Sequence, residues 1–320
     1  MRSSDFDMDP LSQAIALLKP QAIAWRILEG HGDWALRAPA NDFVVFGQMT
    51  EGACEAVLAD GTVLALDEGD FLLMYRPRSW VARTSPHAEP VELKAAIADP
   101  SLLQSAGAAP RIVRLMAGAF VFGAPNAELL DSLLPSVVHV RAAEVRANHL
   151  SALLKVLADE GLADRPGRSL VLDRLLEIML VEALRRRPDE LEKRRPGLLG
   201  GLADPRIGAA LSLMHQDARR AWTVAEVARA VGMSRSAFAA RFAETVGTPP
   251  MDYLLGWRMT MARAALISAK LPMSEVAEMA GYTSVSAFST AFSRTTGTSP
   301  SRYARTVAPP TFADPLHGPD

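Results

Sequence analysis

The feature that most constrains this chain is a phrase it uses twice. "GMSRSAFAARF" at 232–242 and "GYTSVSAFSTAF" at 281–292 share one Gly-turn-Ser-Ala-Phe pattern. Upstream, Glu226, Val227, Ala228 and Gly232 recur 49 residues later as Glu275, Val276, Ala277 and Gly281. Downstream, Ser234, Ser236, Ala237, Phe238, Phe242, Gly247, Pro250 and Tyr253 recur at an offset of 50. The one-residue slip falls in the turn, where a duplicated unit absorbs an insertion most easily.

Each copy reads as two short helices around a turn. Val224, Val227, Ala228 and Val231 follow an amphipathic helical stripe, as do Met273, Val276, Ala277 and Ala280. Gly232 and Gly281 stop those helices, and Ser234 and Ser284 are placed to cap the next ones. Phe238 and Phe242, or Phe288 and Phe292, lie four apart on the inward face of the second helix. Gly247 and Gly297 end it, and a proline follows each. Helix, glycine turn, helix is the helix-turn-helix pattern, and the helix-like "PPMDYLLGWRMTMARAALIS" (249–268) joins the two copies. An ordinary pair of helical hairpins would not need the phrase repeated with its turn, cap and phenylalanines intact.

In this combination residues 203–306, closing with "GTSPSRYAR" (297–305), resemble the AraC/XylS family of bacterial transcription regulators. The stretches "DPLSQAIALLKPQA" (9–22) and "LALDEGDFLLMYRP" (64–77) resemble the cupin-type sensor domain of one branch of that family. The resemblance implies double-stranded DNA and a small-molecule effector as partners, RNA polymerase as a further one, and a homodimer. The expected fold is α+β in two domains: an N-terminal cupin-like β-barrel with flanking helices, then an all-α domain of two helix-turn-helix units. The expected division is 1–185 for sensor and helical dimerisation region, 186–202 for a linker rich in charge, Pro and Gly, 203–306 for the DNA-binding domain, and 307–320 for a tail.

Composition agrees. Residues 203–306 hold twelve Lys/Arg against seven Asp/Glu, a net +5, while the rest of the chain carries −7. A basic module that meets phosphates and an acidic one that does not fit this split. No apolar run is long enough to span a membrane, and "MRSSDFDMDP" has no hydrophobic signal segment, so a cytoplasmic protein is expected. A single cysteine, Cys54, excludes an internal disulfide and reads as a small core residue.

From Gln21 to about Ala98 the chain reads as short strands between turn signals, with a hairpin cue at Asp60-Gly61 and another strand in "RIVRLMAGAFVF" (111–122). Cupin enzymes hold a metal through strand histidines. Here Val44, Val45 and Phe46 stand where an early His-x-His would fall, and Trp80 stands near the late histidine. The six histidines show no ligand spacing, so no metal, no cofactor and no enzyme activity are expected. The barrel should bind, with Trp25, Trp34, Arg37, Phe43, Arg76, Arg78 and Trp80 as candidates to line or rim an effector pocket. Taken singly, the tryptophans read equally as core and the arginines as solvated. The helix in "SLVLDRLLEIMLVEALRR" (169–186) is apolar on most of its circumference, through Leu172, Leu175, Leu176, Met179, Val181 and Leu184. It is buried on more than one side, within its own domain or at a dimer seam.

The candidate DNA-contacting residues are Ser234, Arg235, Ser236, Ala240 and Arg241 in the first copy, and Ser284, Ser286, Ser289, Thr290 and Arg294 in the second. The register of the phenylalanine pairs turns Ser236, Ala240, Ser286 and Thr290 outward. Members of the family often carry arginine where Ala240 and Thr290 stand, so a softer sequence grip is expected here. Two other readings stay open on the residues alone: a cupin-type metal-dependent enzyme with a helical appendage, and a sensor acting through protein partners with a weak DNA module.

Overall fold

The first element is capped by the residue before it. In the computed structural model the Asp9 carboxylate accepts the backbone N–H of Leu11 (3.0 Å) and Ser12 (3.1 Å), and Pro10 occupies the first turn of helix α1 (Pro10–Leu18). The structure describes residues 9–105, 112–122, 129–130, 133–147, 149–163, 165–185, 196–268 and 271–306.

Among the described residues ten strands follow: β1 (Pro20–His31), β2 (Ala35–Ala38), β3 (Val44–Glu51), β4 (Cys54–Val57), β5 (Val63–Leu66), β6 (Phe71–Tyr75), β7 (Trp80–Arg83), β8 (Pro90–Glu92), β9 (Ile112–Phe122) and β10 (Val137–Val140). They form two five-stranded sheets, in the orders β1-β9-β3-β6-β10 and β5-β4-β7-β2-β8. The Asp60-Gly61 turn closes the β4–β5 hairpin: the Thr62 N–H donates to Asp60 (2.9 Å), and Gly61 sits at φ 86°. Between the sheets lies a core to which both contribute, with Leu36, Ala56 and Ala82 from one and Met49, Leu72 and Val113 from the other.

The expected barrel is therefore corrected to a cupin-like pair of sheets with no closed barrel. Among the described residues no ladder joins an edge of one sheet to an edge of the other. Strand alternation in the sequence records only which side chains face inward, and a sandwich and a barrel share that pattern.

Helix α2 (Leu93–Ala98) follows β8, and α3 (Ala142–Ala147), α4 (Leu150–Leu162) and α5 (Arg168–Leu184) follow β10. Helix α5 lies along the edge strand β1, where Asp173 accepts the Ala22 N–H at 3.1 Å. The remaining helices are α6 (Leu198–Ala203), α7 (Pro205–Gln216), α8 (Val224–Ala230), α9 (Arg235–Val246), α10 (Pro250–Ser268), α11 (Met273–Met279), α12 (Val285–Thr296) and α13 (Pro300–Thr306). Of the expected linker, 186–195 lie outside the described residues, and the stretch from Leu198 is already helix α6. The expected tail at 307–320 also lies outside them.

By contacts the chain divides into two units. One holds the ten strands with α2 to α5; the other holds α6 to α13 together with α1, Leu129, Leu130 and Leu133. Helix α1 thus groups with α6 to α13, although the expected division counted it with the strands. Its buried residues Leu11, Ala14, Ile15 and Leu18 form one stripe, and it packs against α7 and α10.

Candidate functional site

Both copies of the repeated phrase build the same local object. The Ser234 hydroxyl accepts the Ala237 N–H at 3.3 Å and starts α9; the Ser284 hydroxyl accepts the Ala287 N–H at 3.2 Å and starts α12. The two helices end on Gly247 (φ 83°) and Gly297 (φ 73°), both left-handed. Phe238, Phe242, Phe288 and Phe292 are 0% exposed, each pair packing ring to ring at about 5.5 Å. Tyr253 and Tyr303, also a repeated pair, close on Phe242 and Phe292 at 5.6 Å and 5.4 Å.

Burying those rings leaves the opposite faces bare. Ser234, Arg235, Ser236, Ala240 and Arg241 are exposed on the first copy, and Ser284, Ser286, Thr290 and Arg294 on the second, with Ser289 half-buried. Several of these groups already have partners. The serines at 234 and 284 are engaged as caps, and the Thr290 hydroxyl donates to the Ser286 carbonyl at 3.1 Å. Arg241 forms an ion pair with Asp204, which also caps α7 by accepting the N–H groups of Arg206 (2.9 Å) and Ile207 (3.2 Å). Burial disfavours the Asp204 carboxylate, but the Ile207 N–H, the Arg241 guanidinium and the Arg206 N–H outweigh it and hold its pKa below the usual carboxylate range. Arg235 and Arg294 have no such partner among the described residues.

Sequence reasoning did not find the Asp204 partnership, nor Arg258 on α10. The Arg258 guanidinium donates to the carbonyls of Ala218 (2.6 Å) and Arg220 (2.7 Å), and so ties α10 to the loop before α8. Within the helical unit His215 on α7 stacks on Trp257 of α10 at 3.8 Å and bonds the Tyr253 hydroxyl at 2.7 Å. Burial pushes His215 down to about 3, so it is a neutral core residue.

The sheet unit holds a cavity of about 240 Å³ between its two sheets. Leu28, Leu36, Val45, Leu72, Met74 and Leu115 are among its apolar walls. Of the candidate effector residues, Phe43 and Trp80 line it. The others lie elsewhere. Trp25 is buried against Phe46, Gly118 and Gly161, and Trp34 against Gly30. Arg37 pairs with Glu92 (3.4 Å) and Arg76 with Asp42 (3.6 Å), while Arg78 is exposed. Arg26 on β1, Asn41 and Lys94 on α2 also line the cavity, and sequence reasoning missed all three. For Arg26 a signal existed: it sits two residues before Leu28, so strand alternation turns both to one face.

The cavity does not suit a metal ion. Val44 and Phe46 are buried apolar residues, and among the described residues neither histidine nor carboxylate stands on its wall. Cys54 does line it, but burial pushes that thiol up to about 12. Among the described residues no helix is long and apolar enough to cross a membrane.

A Cupin family model matches residues 9–187, and a helix-turn-helix domain model matches 227–306. An AraC-like transcription regulator of Streptomyces lividans is 36% identical over 301 residues, covering 93% of this chain and 98% of that protein. Its counterpart in Streptomyces antibioticus is also 36% identical, over 94% of this chain and 100% of that protein. The transcriptional regulator AlkR of Acinetobacter baylyi is 27% identical over 92% and 99%. A solved AraC-type regulator from Chromobacterium violaceum matches 34% of this chain and 96% of that one, at 25% identity and TM-score 0.32.

Proposed function

The chain belongs to the AraC-like transcription regulators, DNA-binding proteins here equipped with a cupin sensor domain, and from that premise we propose how it reads DNA and what it senses. Helices α9 and α12 enter successive major grooves about 34 Å apart along one face of the duplex. One observation carries this: the chain builds the same capped helix twice, with its phenylalanines inward and a small-residue face outward. Arg235 and Arg294 reach phosphates near the helix starts and flanks, and Ala240 and Thr290 meet base edges.

Selection of bound sites from a random DNA library, with the full chain, tests the reading. Two half-sites about one helical turn apart are expected; a single undivided site would overturn it. Run in parallel, Thr290→Arg should move the preference toward guanine in one half-site alone, by about 1–3 kcal/mol if the contact is bidentate. An unchanged half-site would mean that position 290 does not face bases.

The sensor reading is that the cavity between the sheets holds the effector and that the protein acts in the cytoplasm as a regulator and not as an enzyme. Its support is an apolar, partly enclosed space whose wall carries a few polar groups and no metal-ligand set. A homodimer belongs to the same reading. On α5 the buried residues Leu172, Leu176 and Met179 serve the unit's own core, but Val171 (41% exposed), Leu175 and Ile178 (50%) leave a separate apolar stripe. Ile178→Asp should convert a dimer to monomers in sedimentation; a wild-type monomer would remove the seam.

A further inference from the structure

The polar groups on the cavity wall are almost all of one kind. Arg26, Lys94 and the Trp80 indole can donate hydrogen bonds but cannot accept them. Asn41 is the mixed case, and its side-chain oxygen is already taken by the Phe43 N–H at 3.1 Å. The Trp80 Nε1–H is buried with no hydrogen-bond partner among the described residues, a state that carries a desolvation cost unless something else fills it. Lys94 stands exposed on α2 and makes no hydrogen bond or ion pair among the described residues. The Arg26 guanidinium donates to the Trp25 carbonyl at 2.8 Å and adds a second positive charge to the same wall.

An apolar space with an unfilled indole donor and a lysine on its wall selects its occupant by charge. A cationic ligand would meet the like charge of Lys94. A neutral hydrocarbon would leave the Trp80 N–H unpaired. A multiply charged anion would give up a hydration shell that walls of leucine, methionine and phenylalanine cannot replace. The space is also small, under the roughly 300–1,000 Å³ of sites for drug-sized ligands.

We propose that the cavity between the two sheets binds a compact apolar monocarboxylate, its body among Leu36, Leu72, Met74 and Leu115 and its carboxylate taken by Lys94 and the Trp80 N–H. The proposal rests on the reading of this cavity as the effector site, and it names the ligand class that reading leaves open. The α2 helix that brings Lys94 also brings Leu93 and Ile97 to the wall, so one short element supplies both the cation and part of the apolar lining.

Calorimetric titration of the full chain with three eight-carbon probes tests this. Octanoate should bind at least ten times more tightly than octylamine, with 1-octanol between them. Lys94→Met, an exposed position whose change leaves the core intact, should weaken octanoate about tenfold and 1-octanol less than twofold. Trp80→Phe should weaken octanoate and 1-octanol alike, since both offer an acceptor to the indole. Octanol binding as tightly as octanoate, octylamine binding best, or octanoate indifferent to Lys94→Met would each overturn the carboxylate class and leave the cavity a binding site. If none of the three probes binds while circular dichroism shows a folded chain, both the class and the effector-cavity reading fall.

Discussion

Gly232 and Gly281 stand at the same point of the repeat, with φ of 66° and 77°, yet their surroundings differ. A Cβ on Gly232 would meet nothing within 4 Å, whereas one on Gly281 would come within 2.8 Å of the Arg219 carbonyl and 3.1 Å of the Arg258 guanidinium. Gly232→Ala should therefore cost only the left-handed backbone penalty, about 1–2 kcal/mol. Gly281→Ala should cost clearly more in chemical denaturation, and equal losses would contradict the close approach at the second turn. His215 makes a pH prediction in the same unit. Its folded pKa, about 3, lies below the unfolded value near 6.5, so its contribution is complete above about pH 6.5 and declines as the pH falls toward 3. The decline should approach about 1.4 kcal/mol per pH unit, and His215→Phe should flatten it; a stability that stays level from pH 7 to 4 would show the ring accepts its proton in place. At this scale the capping serines were legible because a cap bonds only three residues along the chain. Trp25 was not, because its seat is made by Gly118 and Gly161, where any Cβ would fall within about 3 Å of its ring, and no local pattern links residues so far apart.

Elements repeat that contrast between local pattern and distant partner. Asp9-Pro10 before an apolar stripe marked α1 as a helix, but nothing in the stripe named the surface that would bury it. The structure packs α1 against α7 and α10, so the helical unit draws on residues from both ends of the chain. The segment 203–306, natural as its borders look in sequence, would leave bare the surface that α1 covers. Ile15 is 2% exposed, and Ile15→Ala should remove about 2–5 kcal/mol from the unfolding of the helical unit. Followed by hydrogen exchange, protection should fall in α7 and α10; loss confined to the strands would place α1 with the sheets. The hairpin at Asp60-Gly61 was read correctly for the same reason as the caps, since its bonds close within a few residues. Sheet closure was misread because it depends on edges that meet, or fail to meet, from opposite ends of the strand order.

For the whole molecule the clearest signal in the sequence is electrical, +5 in residues 203–306 against −7 elsewhere, but formal charge overstates what DNA can use. Arg241 is held by Asp204, Arg220 by Glu226 at 3.2 Å and Arg219 by Glu278 at 3.6 Å. Arg258 is spent on two carbonyls inside the unit. Arg206, Arg229, Arg235 and Arg294 are exposed without a carboxylate partner among the described residues, and Arg305 is bonded only to the Ser301 carbonyl there. Each phosphate neutralised contributes about −0.9 to the slope of log affinity against log salt. These five cations of the described residues give about −4 to −5, whereas all twelve basic residues of 203–306 would give about −11. The full chain, titrated with a selected site between low and physiological salt, should show the shallower slope. Asp204→Asn keeps an oxygen to cap α7 but frees Arg241, and should steepen the slope by about 1 while tightening binding to any sequence. A wild-type slope near −11, or an Asp204→Asn slope equal to the wild type, would mean that the ion pair does not withhold Arg241 from the DNA.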